Sequence, residues 1–215
     1  MERLTNQQIQ DEGLHDWRTL AVALHARFRT GDFARGLRFV SAVGEAAELA
    51  NHHPDVKLSY SYVDLALLTH SARSLTRRDV DLARRISEIA RDQGIPADPT
   101  AVAEIELALD TADVALVGPF WAALLTGSPA SLHGDDVRDA AGRIPLLWFQ
   151  HTDPHETPRQ RFHIDLWVPW DVADGRIAAA VAAGARVVDD AQAPAFVVLA
   201  DPEGNRVCVC TSQGR

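Results

Sequence analysis

Apolar residues Phe33, Leu37, Val40, Val43 and Ala47 recur at steps of three and four, which is the spacing of an amphipathic helix, and Pro54 stops it. Beyond the proline the period changes to two. Val56, Leu58, Tyr60 and Tyr62 alternate with Lys57, Ser59 and Ser61, predicting a strand over residues 56–62 with one wet face. Residues 63–70 predict another. Upstream, residues 4–14 read as a short helix, residues 17–29 alternate as strand, and Thr30-Gly31-Asp32 turns the chain. Thr76-Arg77-Arg78-Asp79 opens a last helix with Leu82, Ile86 and Ile89 on its buried stripe. The order α-β-β-α-β-β-α predicts an α+β layer sandwich with an antiparallel sheet.

A boundary falls at residues 92–99, where Gly94 sits at a helix end and Pro96 and Pro99 interrupt regular structure. Domains are therefore expected at 1–93 and 100–215, each with apolar periodicity for its own core and working independently. The second contains a repeat. Glu106-Leu-Ala-Leu is a strand followed by a helix through Phe120 and Trp121 to Gly127. His163-Ile-Asp-Leu is a strand followed by a helix through Ile177 to Gly184, the same 21-residue step. Strand signals follow at residues 145–150, 186–188, 195–199 and 207–210. Two repeated β-α-β-rich modules predict paired half-barrels around a shared cavity.

Length and composition narrow the function classes. The 215 residues suit two domains, and 24% charged with 47% hydrophobic residues is ordinary for a soluble globular protein. No apolar run approaches the ~18 residues of a spanning helix, and residues 1–17 lack a signal peptide's apolar core. A net charge of −9 would repel nucleic acid, so small molecules or proteins are the expected partners. Cys208 and Cys210, two apart in a strand, point to one face and are poorly placed to bridge each other, which favours a cytoplasmic setting.

Candidate chemistry gathers at Glu48, His52-His53-Pro54, Tyr60, His70 and Asp79. Glu48 and His52 are four apart on a helix, so the carboxylate can orient the imidazole. Pro54 forces His53 out of helical geometry, so the two rings should diverge. Three histidines in one cleft can supply a proton acceptor and a donor near neutral pH without a cofactor. Adjacent histidines at a helix end can equally be plain solvated residues, and Thr76-x-x-Asp79 is also a capping-box pattern. Diverging neighbours make poor zinc co-ligands, so no metal is assigned.

At these residues the chain resembles the pterin-4a-carbinolamine dehydratases. Their pattern of a charged residue, three others, His-His-Pro, an aromatic, His and Asp is met in register by Glu48, His52, His53, Pro54, Tyr60, His70 and Asp79. The resemblance takes in Trp17, Phe33 and the Thr69–Thr76 stretch and spans about 90 residues. It implies dehydration of 4a-hydroxytetrahydrobiopterin to the quinonoid dihydropterin without a cofactor. His52, His53 and His70 would be catalytic, Glu48 and Asp79 supporting, and Tyr60 against the substrate. Arg73-Ser74 stands where the family often carries two glycines; if the loop needs positive φ, Ser74 would be strained.

In the second domain Glu106 and His163 hold equivalent places in the repeats, as metal ligands, an acid/base pair, or a buried Glu–His contact. Asp113, Phe120-Trp121 to Gly127, Arg161-x-His163-x-Asp165 and Asp201-Pro-Glu-Gly-Asn205 resemble the glyoxalase-like, vicinal-oxygen-chelate proteins, which implies paired βαβββ modules. In the metal-dependent members a carboxylate closes the site from the last strand; here that place is Cys208. A fourth position near Gln150 or His151 does not align. Trp148 and Trp167 either flank a cavity for an unidentified small molecule or belong to the core. The leading expectation is a hydro-lyase with an attached small-molecule domain, and the alternative is a non-enzymatic dimerisation or small-molecule-binding protein. Residues 56–62 are a candidate for edge pairing, so a homodimer or higher homo-oligomer is expected.

Overall fold

The computed structural model describes residues 2–126, 128–140, 142, 144–153, 162–182, 184–200 and 206–215. Gly127, Arg161 and the 201–205 stretch, used above for the glyoxalase-like resemblance, lie outside the described residues.

In the first half, α1 (Asn6–Asp11) opens on a capping box at Thr5. The alternating run of residues 17–29 is two strands, β1 (Arg18–Leu20) and β2 (Ala23–Arg29), because Ala21 adopts a left-handed conformation (φ 49°) and folds the run back on itself. Helix α2 (Phe33–Ala50) follows, then β3 (Asp55–Leu58), β4 (Tyr62–Leu67) and α3 (Arg77–Asp92). The sheet is antiparallel in the order β1-β2-β4-β3, which leaves β3 at an edge. Alternation sends Leu24, Ala26 and Phe28 of β2 and Val63, Leu65 and Leu67 of β4 to one face. There they pack against Phe39 and Val43 of α2 and Val80, Ala83 and Ile86 of α3. A Cβ at Gly36 of α2 would meet Leu58 Cδ1 at 2.6 Å, so any larger residue there would displace the tip of the Leu58 side chain. The expected strand over 56–62 is shorter: Ser59 N–H donates to the Tyr62 carbonyl, so Tyr60, flanked by two turn-favouring serines, occupies the hairpin.

The second half is one eight-stranded sheet. Its elements are β5 (Glu104–Thr111), α4 (Val114–Thr126), β6 (Leu132–His133), β7 (Asp136–Val137) and β8 (Leu147–His151), then β9 (Phe162–Trp167), α5 (Trp170–Ala182), β10 (Arg186–Asp189), β11 (Phe196–Ala200) and β12 (Arg206–Cys210). Strand order is β10-β11-β12-β9-β5-β8-β7-β6. The order reads the same from either end: β5 and β9 meet antiparallel at the centre, and each pairs in parallel with its own module's last strand. Leu107 lies opposite Ile164, Glu106 opposite Asp165 and Ala108 opposite His163, the register a twofold between Leu107 and Ile164 requires. The repeat in sequence is thus an approximate symmetry in space. β6 and β7 escaped the periodicity because two residues carry no alternation. Leu109, Leu147 and Phe149 pack on α4, and Val168, Leu199 and Val209 on α5. The opposite face carries Glu104, Glu106, Asp110, His163, Asp165, Trp167, Cys208 and Cys210.

The junction is not a free linker. Ile95 is buried in the first core, Arg29 N–H donates to the Pro96 carbonyl, and Asp98 N–H donates to Arg27 O at 2.7 Å, so the segment runs along β2. Leu20, at the tip of the β1–β2 hairpin and fully buried, packs with Val102, Trp167 and Cys210. Arg18 of β1 pairs with Asp171 of α5 at 2.5 Å. The halves therefore interlock. No described helix is long and apolar enough to cross a membrane.

Candidate active site

Helix α2 ends because Asn51, a residue that tolerates left-handed backbone, adopts φ 46°. Its N–H donates to Glu48 O and that of His52 to Ala47 O, the paired closure that satisfies the last carbonyls. Arg78 of α3 donates to the Ala50 and Asn51 carbonyls and pins this end of α2 to the start of α3. Two sequence-distant segments are thereby held together, and His52 meets Asp79.

Asp79 is fully buried and belongs to the α3 capping box. Its Oδ2 accepts from Thr76 N–H at 2.7 Å and from the Thr69 hydroxyl at 2.6 Å, while Oδ1 meets His52 Nε2 at 2.7 Å. The capping and functional readings of Asp79 are one arrangement. A carboxylate that accepts from every side leaves Nε2–H as the donor to Oδ1, so Nδ1 of His52 carries the ring's lone pair. Thr69 also hydrogen-bonds Thr76 at 2.8 Å and so anchors the loop that bears His70 to the same carboxylate.

His53 turns the other way. Its Nε2 lies 3.0 Å from Glu48, both side chains being more than half exposed. Glu48 was expected to orient His52; leaving the helix at Asn51 swings His52 inward and presents His53 to Glu48 instead. His70 sits exposed in the turn after β4, and among the described residues no side chain hydrogen-bonds its ring. Tyr60 is 75% exposed in the β3–β4 turn. The positive φ falls on Arg73 (48°), not on Ser74, which instead bridges to Thr69. Holding a β-carbon there costs about 1 kcal/mol. Sequence reasoning missed Arg78 and the role of Thr69; Arg78 reaches Asn51 across 27 residues and Thr69 reaches Asp79 across 10, contacts that no helix or strand period carries.

In the second half the expected Glu106–His163 partnership is replaced by two separate ones, since Ala108, not Glu106, stands opposite His163. Glu106 accepts from Trp167 Nε1 at 2.7 Å, and burial holds its carboxyl above the usual range despite that bond. His163 Nε2 lies 3.4 Å from Asp165 and its Nδ1 lies 3.9 Å from Asp110. Trp148 donates to the other Asp165 oxygen at 3.2 Å and meets the His163 ring edge to face. Cys208 lies beside Asp165 on the neighbouring strand. Burial, then the Asp165 charge, pushes the Cys208 thiol up to about 12, and Cys210 is displaced alike, so neither is a thiolate nucleophile near neutrality. Ligand atoms of His163, Asp165 and Cys208 all lie within 4.8 Å of one another and could hold a metal.

Residues 2–89 match the family model of pterin 4 alpha carbinolamine dehydratase, and residues 106–210 match that of a glyoxalase-like domain. A protein of Koribacter versatilis (strain Ellin345), provisionally named as a pterin-4-alpha-carbinolamine dehydratase, is 38% identical over 88 residues, 40% of this chain and 94% of its own length. A provisionally named dehydratase of Nostoc punctiforme is 41% identical over 88 residues, covering 40% of this chain and 95% of the relative. A crystal structure from Brucella melitensis, described as a transcriptional coactivator/pterin dehydratase, is 30% identical with a TM-score of 0.40, covering 41% of this chain and 99% of that one.

Proposed function

The chain belongs, through its first 89 residues, to the pterin-4a-carbinolamine dehydratase family, and from that premise we propose that its first domain dehydrates 4a-hydroxytetrahydrobiopterin to the quinonoid dihydropterin. The observation that carries this reading is the buried Asp79–His52 pair, with His53 and His70 on the loops beside it. In the reaction the C4a–O bond breaks, the departing hydroxyl takes a proton and leaves as water, and the N5 lone pair forms the new double bond as N5 loses its proton. One donor and one acceptor suffice, without redox chemistry. His52, fixed through Nε2 by Asp79, offers Nδ1 as the acceptor. His53, paired with Glu48 at the surface, can exchange its proton with solvent and serve as donor. His70 would supply a further ring from the exposed loop that Thr69 anchors to Asp79, and Tyr60 offers an exposed ring for the flat pterin to stack upon.

The glyoxalase-like second domain adds a polar, aromatic-lined sheet face suited to a small molecule. Domain limits near 1–93 and 100–215 fit the two sheets. The test is the ultraviolet decay of freshly generated 4a-carbinolamine with full-length protein. Acceleration over buffer is expected; none would overturn the enzyme reading and leave the non-enzymatic binding or dimerisation role.

A further inference from the structure

We propose that His163, Asp165 and Cys208 bind a zinc ion within the second module alone, with Glu106 of the first module outside the coordination shell. The donors come from two adjacent parallel strands. His163 and Asp165 are two apart on β9 and so share a face, and Cys208 of β12 stands in register with Asp165. Nitrogen, oxygen and sulfur together select a borderline-soft ion such as zinc over magnesium or calcium.

The separation of His163 from Asp165 suits two ligands of one ion. His163 Nε2 and Asp165 Oδ1 are 3.4 Å apart, long for a charge-assisted hydrogen bond. Two ligands of a tetrahedral zinc at the usual bond lengths are about 3.3 Å apart. The third donor needs only a small side-chain adjustment, since all three ligand atoms already lie within 4.8 Å of one another.

The surroundings supply the outer partners that such sites use. Trp148 holds the far oxygen of Asp165 at 3.2 Å and so aims Oδ1 inward. On the other side of the imidazole, Asp110 Oδ1 is buried and has no hydrogen-bond partner in the described structure, yet lies 3.9 Å from His163 Nδ1. That orphaned oxygen is where a metal-bound histidine would place its second N–H. Glu106, the symmetry counterpart of His163, is committed to Trp167 at 2.7 Å. Trp148 holds the place in β8 that matches Cys208 in β12, so that strand brings no thiol to the matching position.

Titrating the metal-free full-length chain with cobalt(II) tests this directly, because a cobalt–thiolate bond gives charge-transfer absorption in the near ultraviolet. The expected result is that band saturating at one cobalt per chain, lost in Cys208→Ser and kept in Cys210→Ser and in Glu106→Gln. His163→Gln and Asp165→Asn should each weaken cobalt binding at least about tenfold. Near-ultraviolet circular dichroism identifies any variant that has not folded; if Cys208→Ser is one, the His163 and Asp165 variants decide. Absence of the band in the wild type, its survival in folded Cys208→Ser, or its loss in Glu106→Gln would each overturn the assignment. So would unchanged affinity in the His163 and Asp165 variants.

Discussion

His25 lies on β2 with Asp64 of β4 and Asp55 of β3 as its charged neighbours, and burial outweighs both carboxylates, lowering its pKa to about 4. An unfolded chain binds this proton near pH 6.5, so between the two values it holds more protons than the folded one. Stability from this group is therefore complete above about pH 6.5 and declines as pH falls toward 4, by on the order of 3 kcal/mol in all. Urea unfolding across that window should show the slope in wild type and a clearly shallower one in His25→Gln; equal slopes would contradict the assignment. Such residue-level detail is only partly legible in sequence. The His-His-Pro spacing foretold diverging rings, and Asp79 was readable as a cap. That Glu48 would serve His53, not His52, depended on Asn51 turning left-handed one residue after the helix, which helical spacing does not reveal.

Helices and longer strands were readable because each buries one face and so repeats at its own period. Pieces of two residues, such as β6 and β7, lie below that resolution, and the β3–β4 hairpin was hidden because Tyr60 continues an alternation that the backbone abandons. Strand β3 is the element with the clearest consequence for assembly. It pairs with β4 on one side only, and Val56 is 42% exposed. On α2, Leu37 is 53% and Leu49 91% exposed. Unpaired strand edges and apolar side chains of this kind are what a symmetric interface covers. Light scattering at micromolar concentration should give a multiple of 23.5 kDa, most simply twice that mass. A monomer mass would remove the proposed pairing.

At the scale of the whole molecule, the repeat foretold the symmetry of the second sheet, but the interlock of the halves was invisible: Leu20 reads locally as an ordinary strand residue, and its partners Trp167 and Cys210 are far along the chain. Leu20→Ala should cost about 2–5 kcal/mol and lower one shared thermal transition followed at both near- and far-ultraviolet wavelengths. Two separate transitions, with only the first displaced, would mean that the halves are independent after all. The account rests finally on the first domain's acid/base machinery, and above all on His52 held by Asp79. The most direct measurement is the rate of 4a-carbinolamine decay with wild type, His52→Ala and Asp79→Asn, each checked for native circular dichroism. The account predicts clear acceleration by wild type, a fall of about 10²–10⁴-fold in His52→Ala, and a loss in Asp79→Asn that histidine elsewhere does not restore. Wild-type acceleration that survives in folded His52→Ala would contradict it.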